Sequence, residues 1–224
     1  MLTREFLLKA DCRTAFGDIE ETLLWSAEQR AASLAATLAC RPDDSPVWIF
    51  GYGSLMWNPA LEFVETATGT LPGWHRAFCL RLTVGRGTLH QPGRMLALKE
   101  GGRTTGVAYR LAEETLEQEL TLLWKREMVT GCYLPRWCPL ALDDGRTVSA
   151  LVFIMDPRHP LYEPDTQAPH IAPLIAIASG PLGTNAQYLF SLEQALSSLG
   201  MRDDGLVDLL DAVRRCQGNA PQPE

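Results

Sequence analysis

The residues best suited to chemistry in this chain lie where an apolar run, Val47 to Phe50, meets Gly-Tyr-Gly-Ser at positions 51–54. A glycine has no Cβ and tolerates positive φ, so Gly51 and Gly53 let main-chain N–H groups converge on a carboxylate or an oxyanion. Ser54 adds a hydroxyl to that loop. The same pattern is also typical of a strand that ends in a glycine turn with Tyr52 packed beneath it. The segment therefore predicts either an anion-binding loop or a structural turn.

The second candidate is Glu127, a carboxylate on the apolar face of a predicted helix over residues 113–130. The leucines that project within roughly 40° of it, at about 100° per residue, are Leu116, Leu120 and Leu123. A carboxylate in that position is either held by a buried partner for structural reasons or kept half-desolvated for proton transfer. In the second case we expect burial to raise its pKa.

The other charged residues of this helix have simpler interpretations. The acidic residues expected to form a solvated face are Glu114, Glu117 and Glu119. Lys125 and Arg126 suit the negative end of the helix dipole, and Gly131 suits a C-terminal cap. We expect Lys125 and Arg126 to point away from Glu127, which would leave its pKa free to rise.

Length and composition indicate one medium-sized globular protein. The chain has 224 residues, of which 46% are hydrophobic and 21% are charged, which fits one domain with additions or two small domains. No uncharged apolar run approaches the roughly 18 residues that a membrane-spanning helix needs. The first residues lack the apolar segment and cleavage site of a secretory signal, so we expect a soluble, cytoplasmic protein.

Charge and residue spacing favour a small-molecule partner. A net charge of −7 argues against nucleic acid or an anionic membrane, since both need a basic face. The six cysteines show no C-x-x-C spacing and are expected to be free thiols. The four histidines lie far apart without H-x3-H or H-E-x-x-H patterns, so no metal site is predicted. The oligomeric state stays open.

The predicted elements divide the chain into an N-terminal helical extension (1–46), a central domain (47–216) and a flexible tail (217–224). Residues 17–40 are rich in Ala, Leu and Glu and predict one helix with Asp18 as a cap. The residues that follow, up to Pro46, break that helix.

Within the central domain, β-prone runs alternate with glycine and proline turns as far as Arg110, which is typical of a compact antiparallel barrel or sheet. The predicted helix with Glu127 follows. A strand over 146–155, a proline-rich loop over 156–173 and a helical C-terminal third complete the prediction.

Three segments of the chain, in this order, match those of a known family. They are Ile49-Phe50-Gly51-Tyr52-Gly53-Ser54-Leu55, then Arg126-Glu127 followed by Gly131 and Tyr133, then Gly183-Thr184-Asn185-Ala186-Gln187-Tyr188-Leu189. The shorter runs PGW, PGR and GVAYR lie between the first two segments, at 72–74, 92–94 and 106–110. By these segments the chain resembles the ChaC-type γ-glutamylcyclotransferases over about residues 47–199.

The resemblance implies a fold of the α+β class, a γ-glutamylcyclotransferase-like mixed β-barrel with flanking α-helices, here joined to the N-terminal helical extension. It implies cleavage of reduced glutathione into 5-oxo-L-proline and L-cysteinylglycine without a cofactor. The resemblance assigns the acid/base role to Glu127. It assigns binding of the glutamyl group to Ile49, Phe50, Gly51, Tyr52, Gly53 and Ser54. Relatives outside the ChaC branch use a tyrosine in the proline-rich loop, but no correspondence is established for Tyr162, which stays outside the predicted site.

The residues alone leave two other functions open. One is a cyclotransferase for other γ-glutamyl amino acids or amines, because selectivity depends on whatever contacts the rest of the substrate. The other is a noncatalytic metabolite-binding regulator, for instance of cation transport. Glu127 argues against the regulator, since a binding module has little reason to keep a carboxylate on an apolar helix face.

Several further residues have candidate roles. The arginines that could bind the glycine carboxylate of the implied substrate are Arg76, Arg81, Arg86 and Arg94, and the sequence does not choose among them. Structural roles are favoured for Asn185 and Tyr188. They are also favoured for the thiols of Cys132 and Cys138, which flank the predicted site without a neighbouring histidine.

Overall fold

The computed structural model describes residues 2–9, 20–42 and 45–218. Asp18, the predicted helix cap, lies outside these residues, as does the chain after Gly218. The helices are α1 (Arg4–Leu8), α2 (Ala27–Ala39), α3 (Leu116–Glu127), α4 (Ala168–Ile177), α5 (Asn185–Ser198) and α6 (Asp204–Gly218). The strands are β1 (Trp48–Gly51), β2 (Glu65–Leu82), β3 (Gly93–Arg110), β4 (Tyr133–Leu142), β5 (Thr147–Met155), β6 (Ser179–Gly180) and β7 (Gly183–Thr184).

Strands β1 to β5 form a closed barrel in the order β1-β3-β2-β4-β5. The long strands β2 and β3 pair antiparallel, and β1 pairs antiparallel with β3 but parallel with β5. This confirms the mixed barrel that the family resemblance implied; the β-prone runs by themselves had suggested antiparallel pairing only. All four residues of β1 are buried, as expected for a short strand enclosed on both sides.

The N-terminal helix begins later than predicted. Residues 21–23 form a single 3₁₀ turn, and α2 starts only after Ser26, whose side chain accepts a hydrogen bond from the N–H of Gln29. The Gln29 side chain accepts one from the N–H of Ser26 in return, which completes a capping box. Both α1 and α2 pack against α3. The N-terminal segments therefore support the helix that carries Glu127.

The proline-rich loop is shorter than predicted, because α4 begins at Ala168 within the range 156–173. Pro169 lies in the first turn, where a missing N–H costs no helical hydrogen bond. Burial of Ile171 and Ile175 stabilises the helix despite Pro173 in its interior. Among the helices of the described residues, none is both long and apolar enough to cross a membrane.

Candidate active site

One cavity at the barrel brings together the two features that the sequence singled out. This cavity, called the main cavity below, has a volume of about 170 Å³ and is lined by Glu127 and by residues 52–54. A second space of about 150 Å³, called the side cavity, adjoins it. Ser54, Arg126 and Tyr188 line both, so the two spaces are neighbours that share part of their walls.

The Gly-Tyr-Gly-Ser segment leaves β1 and enters a 3₁₀ turn over Ser54–Met56, closed by a hydrogen bond from the N–H of Met56 to the carbonyl of Gly53. Neither Gly51 nor Gly53 has positive φ. A Cβ at Gly51 would lie 2.9 Å from the Cβ of Leu55, and one at Gly53 would lie 2.9 Å from the Tyr188 hydroxyl. The glycines are therefore needed for close packing around the turn, not for a left-handed conformation.

The six residues predicted to bind the glutamyl group occupy two layers. Tyr52, Gly53 and Ser54 line the main cavity. Ile49 and Phe50 are fully buried in the barrel core, and Gly51 packs under the turn. The structure thus places one half of the set at the cavity wall and the other half behind it.

Glu127 is the last residue of α3, and its side chain is 17% exposed. Burial raises the pKa of its carboxyl group above the ordinary value, while the guanidinium of Arg126 opposes that rise. The expectation that Arg126 points away is wrong, because its Nε lies 2.9 Å from Oε1 of Glu127. The angular argument ignored the length of the arginine side chain, which lets it reach a neighbour at the open end of a helix.

Arg126 connects the catalytic candidate to the glycine turn. It is buried, and its Nη2 donates to the Ser54 hydroxyl at 2.8 Å. Its Nη1 donates to the carbonyl oxygens of Asn58 and Pro59. The guanidinium therefore fixes Glu127 relative to the loop. Sequence reasoning missed this role, although Arg126 belongs to the same matching segment as Glu127.

Tyr188 is the second residue whose position the sequence did not reveal. Its buried ring lines both cavities from α5, and its hydroxyl lies against Gly53, 2.9 Å from where a Cβ would stand. Burial, together with the negative charge of Glu127, raises the pKa values of Tyr188 and of Tyr52. Both phenols therefore stay protonated. Asn185, by contrast, has the favoured structural role, since its side-chain amide bonds the main-chain N–H and carbonyl of Arg94 at 2.7 and 2.8 Å.

The cysteine of the main cavity is a poor nucleophile. Burial raises the pKa of the Cys132 thiol to about 12, so it is not a thiolate at neutral pH. Within the described residues, neither Cys138 nor Tyr162 lines either cavity.

Glu119 corrects another expectation, since it is fully buried and does not lie on a solvated face. Both of its carboxylate oxygens accept hydrogen bonds from Arg4, at 2.6 and 2.5 Å, and one also accepts from the N–H of Glu62 at 2.9 Å. Residues 2–9, called the N-terminal arm below, are thereby held on α3. Leu2 of this arm lines both cavities, so the arm completes part of their wall.

Gly131 does not cap α3, although it was predicted to do so. The helix ends at Glu127 with Met128 as its C-cap, and Gly131 lies three residues beyond that cap, with φ of +64°. A Cβ there would meet the indole of Trp25, and the N–H of Trp25 donates to the carbonyl of Val129 at 2.9 Å. The glycine therefore lets the N-terminal extension pack against the loop that follows Glu127.

Comparisons with known proteins agree on one family. A family model described as ChaC-like protein matches residues 47–216. The chain is 83% identical over 215 residues to the glutathione-specific gamma-glutamylcyclotransferase of Escherichia coli (strain K12), covering 96% of this chain and 93% of that protein. It is 33% identical over 177 residues to glutathione-specific gamma-glutamylcyclotransferase 1 of Homo sapiens, covering 76% of this chain and 80% of that protein.

A solved structure shares the fold. The crystal structure of a selenomethionine-labelled γ-glutamyl cyclotransferase specific to glutathione from yeast aligns with a TM-score of 0.73 at 22% identity, covering 80% of this chain and all of that one. At this identity the likeness concerns the fold alone.

Proposed function

The chain belongs to the ChaC-like family, and we propose that it cleaves reduced glutathione into 5-oxoproline and cysteinylglycine. The relatives described above carry that specificity in their names. The observation that carries the proposal is the meeting of Glu127, a desolvated carboxylate, with the Gly-Tyr-Gly-Ser loop in one cavity.

The proposed reaction needs no nucleophile from the protein. The α-amine of the glutamyl group attacks its own γ-carbonyl carbon, a C–N bond forms to close a five-membered lactam, and the bond to the cysteine nitrogen breaks. The Cys132 thiol is protonated, and the Ser54 hydroxyl is engaged by Arg126. The thiol and the hydroxyl therefore suit a role in the cavity wall better than a role as nucleophiles.

Glu127 is the proposed acid and base. It takes a proton from the substrate ammonium and later delivers one to the departing cysteine nitrogen. An ordinary glutamate near pKa ~4.3 facing an α-amine near ~8 makes the first transfer unfavourable by about 5 kcal/mol. Burial raises the pKa of Glu127 and so narrows that gap. The Arg126 contact limits the rise but holds the carboxylate in place.

The N–H groups of Tyr52 and Gly53 are the proposed donors to the tetrahedral oxyanion. In the described part of the chain, neither N–H is bonded to a backbone carbonyl. Fixed donors in a cavity from which water is largely excluded stabilise such a charge by a few kcal/mol. The protonated phenols of Tyr52 and Tyr188 keep additional negative charge away from the developing oxyanion.

The experiment is product analysis with the purified protein. Reduced glutathione and γ-glutamylalanine are incubated separately, and 5-oxoproline and the released amine are followed by mass spectrometry. We expect 5-oxoproline and cysteinylglycine from glutathione and no turnover of γ-glutamylalanine. Turnover of both would favour the broader cyclotransferase, whereas turnover of neither by folded protein would favour the noncatalytic regulator.

A further inference from the structure

A partly buried arginine in the side cavity has no acidic partner in the described part of the chain. Arg86 lies in the connection between β2 and β3 and lines this cavity. Its Nη1 donates to the carbonyl of Thr184 at 2.9 Å. No carboxylate of the described residues comes within salt-bridge distance of its guanidinium. Burial without a counter-ion opposes its charge, which favours an anion from outside the protein.

The other arginines near the site are less suited to that role. Arg76 pairs with Asp203 at 2.9 Å and also donates to the carbonyl of Tyr52. Arg94 faces Glu163 at 3.6 Å and Arg126 faces Glu127 at 2.9 Å, while Arg81 is exposed. Of the four arginines that the sequence left open, Arg86 is the one that lines a cavity and has no salt-bridge partner within residues 2–9, 20–42 and 45–218.

The guanidinium is held in position by the start of α5. Thr184 is the N-cap of that helix and forms a capping box with Gln187, so its carbonyl has a fixed place. A Cβ at Gly183 would lie 3.1 Å from Nη1 of Arg86. The glycine therefore leaves room for the guanidinium. Of its five N–H donors, one bonds Thr184, and the described residues accept no other hydrogen bond from this guanidinium.

The side cavity neighbours the main cavity and shares Ser54, Arg126 and Tyr188 with it. Once the glutamyl group lies against Glu127 and Tyr52, the remaining two residues of glutathione extend by roughly 3.5 Å each. The side cavity, which shares Ser54 and Tyr188 with the main cavity, is the neighbouring space proposed for them. Arg86 and Arg126 are the charged residues of its described lining, and Arg126 is already paired with Glu127.

We propose that Arg86 binds the terminal carboxylate of the cysteinylglycine part of the substrate, and that this contact selects γ-glutamyl dipeptides that carry a carboxylate at this position. The inference rests on the proposed function, because it assumes that the glutamyl group occupies the main cavity. A planar guanidinium can hold a carboxylate through two parallel hydrogen bonds, which an amide in place of the carboxylate cannot reproduce.

The test measures binding, so that it does not depend on turnover. Glutathione and its glycinamide analogue, in which a carboxamide replaces the terminal carboxylate, are titrated calorimetrically into the Glu127→Gln protein, with and without Arg86→Gln. We expect Arg86→Gln to weaken glutathione binding by roughly 10- to 100-fold and to change glycinamide binding by less than about 2-fold. Arg81→Gln, at an exposed arginine, is the matched control and should change neither.

Equal losses for both ligands would overturn the assignment, since Arg86 would then only support the fold. The assignment would also be overturned if the Glu127→Gln protein with Arg86 intact bound the two ligands equally well, or bound neither. Because this titration needs no catalysis, absent turnover in the product analysis would count against the proposed function and leave the Arg86 result interpretable.

Discussion

Glu119 and Glu127 lie about two turns apart on α3, and both are shielded from water, yet their surroundings differ. Glu119 has three hydrogen bonds, two of them from Arg4 in bidentate geometry. Glu127 pairs with Arg126, its one salt-bridge partner in the part of the chain that the structure describes, and it borders a cavity. A buried carboxylate whose oxygens are all satisfied stabilises a docked segment, whereas one that borders open space keeps capacity for a ligand.

Helix α3 is held in place by contacts near both of these carboxylates. The N-terminal arm docks on Glu119, and Leu2 of that arm reaches the cavity wall near Glu127. Arg126 then connects Glu127 to Ser54 of the glycine turn. One helix therefore carries both a structural carboxylate and a catalytic candidate, and the first keeps the surroundings of the second in place.

The largest expected effect is on catalysis by Glu127→Gln. The amide keeps the shape of the side chain but cannot accept and return a proton, so we expect kcat for glutathione to fall by roughly 10²- to 10⁴-fold. The measurement is the initial rate of 5-oxoproline formation at saturating glutathione. A folded Glu127→Gln protein with the parent kcat would remove Glu127 from the mechanism.

The next effect is on stability, from Glu119→Gln. The substitution removes the charge that pairs with Arg4 and weakens the docking of the N-terminal arm, so we expect the free energy of unfolding to fall by about 1–3 kcal/mol. Urea unfolding followed by tryptophan fluorescence measures it. We expect any loss of kcat to be far smaller than that of Glu127→Gln, because Glu119 lies outside both cavities and acts on them only through the docked arm. A kcat loss as large as that of Glu127→Gln would erase the contrast between the two carboxylates.

The sequence predicted the parts of the site that depend on local pattern. The strand followed by Gly-Tyr-Gly-Ser and the leucine stripe leading to Glu127 are short-range features, and periodicity was enough to place them. The same method failed for Glu119, because its partner Arg4 lies 115 residues away in the chain. It failed for Arg126 because an angular projection shows where a side chain starts and not how far it extends.

For the fold as well, the sequence predicted the local features and not the long-range ones. Short β-prone runs predicted a barrel, but the parallel pairing of β1 with β5 joins strands about 100 residues apart, which no local pattern specifies. The family resemblance supplied that part. Tyr188 and Arg86 reach the site from other elements, so only the three-dimensional arrangement could show that they border the same cavities.

The smallest effect is on the pH dependence of stability, and it concerns Glu127→Gln. The pKa of Glu127 is raised in the folded protein, so the folded state favours the protonated carboxyl. The stabilisation that the folded state gains from this protonated carboxyl is complete below the unfolded pKa of about 4.3. It is lost as the pH rises through the pKa of the folded state. The uncharged amide of the Glu127→Gln protein mimics the protonated form at every pH. We therefore expect Glu127→Gln to be more stable than the parent at pH 8 and equal to it at about pH 4, in urea unfolding at both values.

At pH 8, Glu119→Gln should lower the free energy of unfolding, the opposite of the change expected for Glu127→Gln. The reason is that it removes a satisfied ion pair instead of an unfavourable buried charge. Catalytic sites are often less stable than their neutralised variants, since groups held ready for substrate are incompletely paired in its absence. If Glu127→Gln were instead destabilised at pH 8, the Arg126 contact would outweigh burial, and Glu127 would resemble Glu119 as a structural carboxylate.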